Sequence, residues 1–542
     1  MKTKLFFFTL LCLSIKLTAQ TTYYVDQTAT GANTGLTWND AFTSLNIAFG
    51  TASMPGDKIY ITEDTYTITT GITITIDIEI YGGYSAISDT QTGYTTFDAN
   101  GSTGFSIITT TELTNAALFD HLILTNADNS AGLGGGMLNN TGGAGSSPRL
   151  SYVTFLNNTA SRGGGLCNLT GSAILDNVIF DGNTALHSTT GGGAIYNSAS
   201  SPTISNTSFI NNASVDGAGI FNNTSSSPVI DNCFFNNNKA SRSGGGIYNR
   251  GTANPIISNS TFSNNDASSG GGIFNVTADN KPIITNVLFI ENTANNGAGL
   301  YNNASGPSPT LINVTFYGNI AISSGGGMRS DGSSNPLLYN TVFFNNTNDT
   351  TGNVDDIVGS IDASSSNNAS DKATISASTN FVELSALPGS DLFSNDTDPN
   401  GPDDTFGTSD DGLIPASTSI LVNAGDNSKN TTPATDMTGQ NRISDTTIDL
   451  GAYEYQSTLS TNDILLKTSI SLYPNPSTGL VNILVKNKQE KSQISVYDIN
   501  GRTLLNKNLN NKSIDLSSFA NGIYLIKINT NSGTVVKRIL KE

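Results

Sequence analysis

Basic side chains are scarce in this chain. Lys and Arg number 25 against 43 Asp and Glu in 542 residues, a formal net charge of −18. A nucleic-acid partner needs a basic face to neutralise phosphates, so that class is excluded. Cysteine numbers only three. Cys12 falls in an apolar leader, which leaves Cys167 and Cys233. Outside the leader no run approaches the roughly 18 apolar residues of a membrane-spanning helix. Apolar residues at helical spacing are missing from the middle of the chain, where Gly, Asn, Ser and Thr dominate. Those residues disfavour helix and favour turns.

What stands in place of helices is one unit written eight times between Gly134 and Asn346. Each copy opens on a Gly-rich step, as in Gly244-Gly245-Gly246-Ile247-Tyr248-Asn249, at intervals of 25 to 29 residues. Each closes on a phenylalanine, from Phe155 to Phe343, followed three residues later by Asn. Five residues before each Phe stands an aliphatic (Leu150 to Leu338), and three before it stands Asn in seven copies, with Tyr152 in the first. A repeat of this length means stacked units, none able to bury its apolar face alone. An aliphatic and a Phe five apart cannot share one face of a straight strand, whose side chains alternate with period two. A corner must intervene, and Asn accepts the left-handed backbone a corner needs. Each unit therefore reads as one coil of a parallel β-helix, with amide ladders between corner asparagines about 4.8 Å apart. Cys167 and Cys233 lie two coils apart, roughly 10 Å, too far for a disulfide; both read as buried thiols.

The Gly-rich step leaves two arrangements open. The aliphatics line the core and Tyr196, Phe221, Tyr248, Phe274 and Tyr301 form an outer stripe, or the reverse, because adjacent strand residues face opposite sides. An exposed outer stripe would supply stacking platforms for sugar rings, so these five are candidate glycan-binding residues.

The flanks read in order. Residues 1–19 have the charged start, apolar run and small residue of a signal peptide. Thr37-Trp38-Asn39-Asp40 has the spacing of a capping box. With Trp38, Ala41, Phe42, Leu45, Ala48 and Phe49 on one face, it predicts a helix capping the open end of the solenoid. Isoleucines at 72, 74, 76, 78 and 80 alternate as in a half-buried strand. The β-helix with its cap spans 20–380. An acidic end segment, 381–456, contains Asp396, Asp398, Asn400 and Asp404 around a turn glycine, Gly401. Oxygen donors at that spacing suit Ca²⁺, although Gly407 stands where an EF-hand has Glu. Residues 457–469 form a polar linker. Residues 470–542 carry short alternating runs with Asn500-Gly501 and Asn521-Gly522 turns, a small β-sandwich. The fold class is thus all-β: a right-handed parallel β-helix, a pectin-lyase-like solenoid, followed by a β-sandwich.

Three stretches resemble known families. Leu472-Tyr473-Pro474-Asn475-Pro476 with Gly479, Asp498, Gly501-Arg502, Asp515-Leu516, Gly522-Ile523-Tyr524 and Lys537 resembles the type A sorting domain of the Bacteroidetes type IX secretion system. That resemblance implies engagement of the secretion machinery, export across the outer membrane, and surface attachment or release. The Gly-Gly-x-Ile and Phe-x-x-Asn pairs resemble the repeats of chlamydial polymorphic outer-membrane proteins, which are β-helical adhesins; their C-terminal barrel is missing here. Residues 396–454 resemble the end segment of choice-of-anchor β-helix proteins.

Three function classes stay open. A pectin hydrolase of this fold would show Gly-His-Gly and Arg-Ile-Lys, and neither tripeptide occurs. A lyase needs a Lys or Arg base, and Arg162 and Arg242 lie in coils that are not neighbours, as do Asp176 and Asp231. His121 and His187, the only histidines, read as surface or hydrogen-bonded rings. With no nucleophile–base pair evident, the expectation is a secreted or surface-attached adhesin that binds a polysaccharide or cell-surface glycan. A polysaccharide lyase or hydrolase and a structural rod are the alternatives.

Overall fold

A computed structural model describes residues 20–140, 145–303, 305–372, 378–429, 433–456, 470–485, 493–498, 502–508, 513–530 and 533–542. The expected signal peptide and linker lie outside them. The chain divides into two compact units, 1–456 and 457–542. Among the described residues of the first, strands parallel but for the short antiparallel Thr90–Gln91 form sheets of 21, 9 and 11 strands, the right-handed parallel β-helix expected from the repeat.

One coil shows how the sequence makes the turn. Val229–Asp231 and Phe234–Asn236 both belong to the longest sheet, Lys239–Ser243 to the nine-stranded sheet and Ile247–Asn249 to the eleven-stranded one. Between the first two, Asn232 has φ 51°, and every other Asn three before a Phe is left-handed too. The next coil stacks in strict register, with Ile230 on Ile257, Phe235 on Phe262 and Tyr248 on Phe274. The eight phenylalanines form a column with centroids 4.4–5.2 Å apart. Glycine in the opening step makes room for that column: a Cβ at Gly246 would meet the Phe262 ring at 2.7 Å.

The corner ladder forms with interruptions. Asn232 donates to Asn206 at 2.7 Å and Asn340 to Asn313 at 3.0 Å, but Asn259 turns to the Asp231 carboxylate at 2.8 Å. Two further amide ladders run inside. Asn158 to Asn346 are fully buried, each linking to the next coil; Asn238 donates to Asn265 Oδ1 at 2.9 Å and to the Phe209 carbonyl at 2.8 Å. Asn139 to Asn302 make the second, with steps of 2.6–2.9 Å. Buried amides must be paired, and the coil repeat supplies the partner. Cys167 and Cys233 are unpaired buried thiols, and burial pushes both up to about 12.

Two expectations need correction. The N-terminal helix spans only Leu45–Thr51 and starts after Ser44. Thr37 and Asp40 do make the capping-box bond, Asp40 N to Thr37 Oγ1 at 3.2 Å. The chain then extends, because Phe42 N bonds the Tyr24 carbonyl and Asp26 N bonds the Phe42 carbonyl. Pairing with the first strand outweighs local helix propensity; Trp38 points outward, while Leu45 and Ala48 still enter the core. The isoleucine run from 72 to 80 is likewise two strands, Ile72–Ile74 and Glu79–Ser85, separated by a corner. Its period survives because Ile72, Ile74, Ile78 and Ile80 are all buried.

Among the described residues of the unit 457–542, antiparallel sheets of three and four strands share a core of Val481, Ile483, Ile494, Val496, Ile514, Ile526 and Ile539.

Candidate functional site

The five aromatics lie outside the coil lumen, since Ile195, Ile220, Ile247, Ile273 and Leu300 fill it. They are nevertheless not open. Tyr196, Phe221, Tyr248 and Phe274 are at most 8% exposed. Their rings stack at 4.8–5.4 Å with planes within 24°, and Tyr301 meets Phe274 edge-on. The inner faces are taken by the ring one coil away, and Arg162 and Arg329 lie over the two end rings, so no open platform is left for a sugar. The platform expectation for these residues is corrected for that reason; only ring edges and hydroxyls reach the rim. The Tyr301 hydroxyl donates to Asp331 at 2.7 Å, and burial with that carboxylate pushes it up to about 12. Arg162 and Arg329 lie over Tyr196 and Tyr301 at 5.7 and 5.6 Å, adding cation–π attraction.

Arg162 and Arg242 are closer than their coil numbers imply. The stretch leading into the third Gly step carries His187, Thr189 and Thr190. Arg162 donates to His187 Nε2 at 2.8 Å and to Thr190 Oγ1 at 2.6 Å. Arg242 reaches the Thr189 carbonyl at 3.0 Å and pairs with buried Asp216. Burial and the adjacent guanidinium hold His187 below its ordinary range. All these groups satisfy one another.

The end segment does more than finish the solenoid. It folds back along the outer face of the longest sheet. Outward positions there turn apolar, with Leu288, Ile290, Tyr317, Val342 and Phe344 meeting Leu392, Phe393, Leu413, Leu421 and Leu450. Polar bonds fix the strap: Tyr317 hydroxyl to the Asp396 carbonyl at 2.8 Å, Asn286 to the Thr435 carbonyl at 2.7 Å, and Ala452 N to Thr315 Oγ1 at 2.9 Å. Inside it, fully buried Arg442 bonds the Ala452 and Asp449 carbonyls beside Asp436 and Glu454.

Phe406 stands where the strap meets the bare sheet, its ring 6.4 Å from Phe234. A cavity of about 260 Å³ lies on one side, lined by Asn232, Asn259, Asp404 and Met437. One of about 350 Å³ lies on the other, lined by Asn236, Asn264, Asp398 and Asn400. Two of the three carboxylates of the expected calcium loop, Asp398 and Asp404, thus border this groove, while Asp396 anchors the strap. The loop is a series of tight turns, Gly401 N to Asp398 O and Asp404 N to Gly401 O. Among the described residues no group of three or more His, Cys, Asp or Glu is placed to hold a metal ion.

Residues 471–542 match the family described as the secretion system C-terminal sorting domain. The tail is an export address. Residues 89–289 match the right handed beta helix region. The address sends the chain by type IX secretion to the cell surface or the extracellular space, and no helix among the described residues is long and apolar enough to cross a membrane. No curated protein matches the chain. Among solved structures, "Crystal structure of pectate lyase Pel9A" is similar at 18% identity and a TM-score of 0.44, covering 81% of this chain and 97% of its own. A "Rhamnogalacturonan lyase" is similar at 15% identity and a TM-score of 0.27, covering 67% and 84%. At those scores neither likeness carries an inference about activity.

Proposed function

We propose that this exported β-helix binds glycan without catalysis, and that the groove on either side of Phe406 is where it does so. The observation that carries the reading is the pairing of Phe406 and Phe234 with amides and carboxylates at one concave place. Flat apolar rings with hydrogen-bonding neighbours suit the two kinds of surface a pyranose presents. Two-sided access along the sheet suits a chain rather than a small molecule. Full-length protein on a glycan array should bind, and Phe406→Ala should weaken binding about tenfold with little change in Tm. A parallel absorbance assay for unsaturated sugars should stay flat; a rising signal would establish a lyase instead. Calcium belongs to this proposal as an ion that would draw Asp396, Asp398, Asn400 and Asp404 together. Calorimetric heat at millimolar Ca²⁺, lost in Asp398→Ala, is the test, and no heat leaves the groove metal-free.

A further inference from the structure

An open aromatic surface exists, but on the first coils rather than along the buried stripe. Tyr24, Tyr60 and Tyr81 sit in register on three successive strands, on the outer face of the longest sheet. Tyr60 stacks on Tyr84 at 4.4 Å with planes 9° apart. Trp38 packs against Tyr24 at 4.8 Å and tilts over Tyr84 at 6.0 Å. All five rings are part-exposed. Beside them runs a second row in which Tyr94, His121 and Tyr152 follow one another at 5.2 and 4.8 Å. Tyr94 and Tyr152 are 39% and 43% exposed.

The backbone under this second row is informative. His121 and Tyr152 have φ of 52° and 51°, at the corner where the following coils place left-handed Asn177 and its successors. A bulky residue in that conformation is a genuine outlier, and such strain persists where the surroundings impose it. Asn would meet the structural need here more cheaply, and Asn177 onward shows it. What Tyr152 adds over Asn is an exposed ring.

The polar groups around the two rows define the ligand. Asp120 accepts from Gln91 at 2.9 Å and pairs with His121 at 2.9 Å. Asp89 accepts from the Trp38 indole at 2.8 Å. Glu79 accepts from the Tyr81 hydroxyl at 2.6 Å and is paired with Lys58, with Arg149 acting on it from the same column of the sheet. Among the described residues Asp89 and Asp120 pair with no Lys or Arg, which repels uronates and sulfated sugars and offers acceptors to hydroxyl groups. From Tyr24 to Tyr152 is four coil steps, roughly 19 Å, enough for several pyranose rings.

We infer that this platform is a second glycan site, selective for neutral, flat, equatorially linked hexopyranose chains. It takes its ligand class from the glycan-binding reading above, but its residues are separate from the groove. Trp38 is the only tryptophan in the chain, so its emission reports on this site alone. Full-length protein is titrated with cellohexaose and, in parallel, with hexagalacturonate. Cellohexaose should shift Trp38 emission, and hexagalacturonate should not. Tyr94→Ser with Tyr152→Asn should weaken that response about tenfold or more with Tm unchanged or higher, because Asn suits the corner. Phe406→Ala should leave the response intact. Absence of any emission change, an undiminished response in the double variant, or loss of the response in Phe406→Ala would each overturn the inference. Binding on the array without a Trp38 response would sink the platform and leave the groove standing; a Trp38 response with no effect of Phe406→Ala on array binding would do the opposite.

Discussion

Asparagine plays two roles in this chain, and burial separates them. At the exposed corner, Asn232 serves mainly as a residue tolerant of φ 51°. In the interior, Asn238 holds four bonds: two donated by its amide nitrogen, and two accepted by its oxygen from Asn212 N at 3.2 Å and Asn212 Nδ2 at 2.9 Å. Removing a buried partner leaves groups that must go unpaired away from water. Asn238→Ala should therefore cost roughly 3 kcal/mol, and Asn232→Ala about 1 kcal/mol, the price of a left-handed alanine. Denaturant titration of both variants decides, and equal losses would refute the distinction. The aromatic stripe makes a second residue-scale prediction. Because Tyr248 is sandwiched between Phe221 and Phe274, Tyr248→Ala should lower stability by roughly 3–5 kcal/mol, the scale of a buried aromatic truncation. A variant that melts like wild type would mean the stack contributes nothing.

At the scale of the element, the strap behaves as a clamp whose grip depends on pH. Asp411 is buried in it and bonds Gly407 N at 2.7 Å. Burial, which disfavours the charged form, pushes its carboxyl up to about 6. The folded state thus holds this proton more tightly than the unfolded chain does. The corresponding stability is fully present below the usual carboxylate range and is lost as pH rises through about 6. Glu454, raised to about 8 chiefly by burial, acts in the same direction over a higher window. Asp411→Asn removes one of these titrations while keeping an acceptor for Gly407 N. Between about pH 4 and pH 7, wild-type Tm should fall relative to the variant. Parallel curves would show that Asp411 is not the titrating group.

For the whole molecule, the solenoid presents its surfaces and the C-terminal unit supplies the address. Deleting residues 470–542 should trap the protein in the periplasm, read by fractionation and surface protease digestion. Its appearance at the surface would mean that another segment carries the address. The two proposed glycan sites lie on one long sheet, with three coil steps from the Tyr152 strand to Phe234, so occupancy of both by one chain would raise avidity without any new contact.

The sequence alone determined the parts that repeat. Coil length, the inward aliphatics and phenylalanines, the left-handed Asn corners and the unpaired thiols all follow from spacing, because each coil meets the same neighbours and one pattern is tested eight times. The C-terminal unit was legible for a related reason: its motifs are local. What occurs once required the tertiary structure. The aromatics after each Gly step were readable as facing outward or inward, but only stacking across coils shows that outward rings can still be buried. The Trp38 segment looks helical by itself but forms turns, because a strand from earlier in the chain claims the backbone of Phe42 just after it. The groove beside Phe406 joins side chains about 170 residues apart, and the platform joins rings from five coils. No local spacing encodes such meetings; they depend on where the strap docks and on which outward positions it leaves bare.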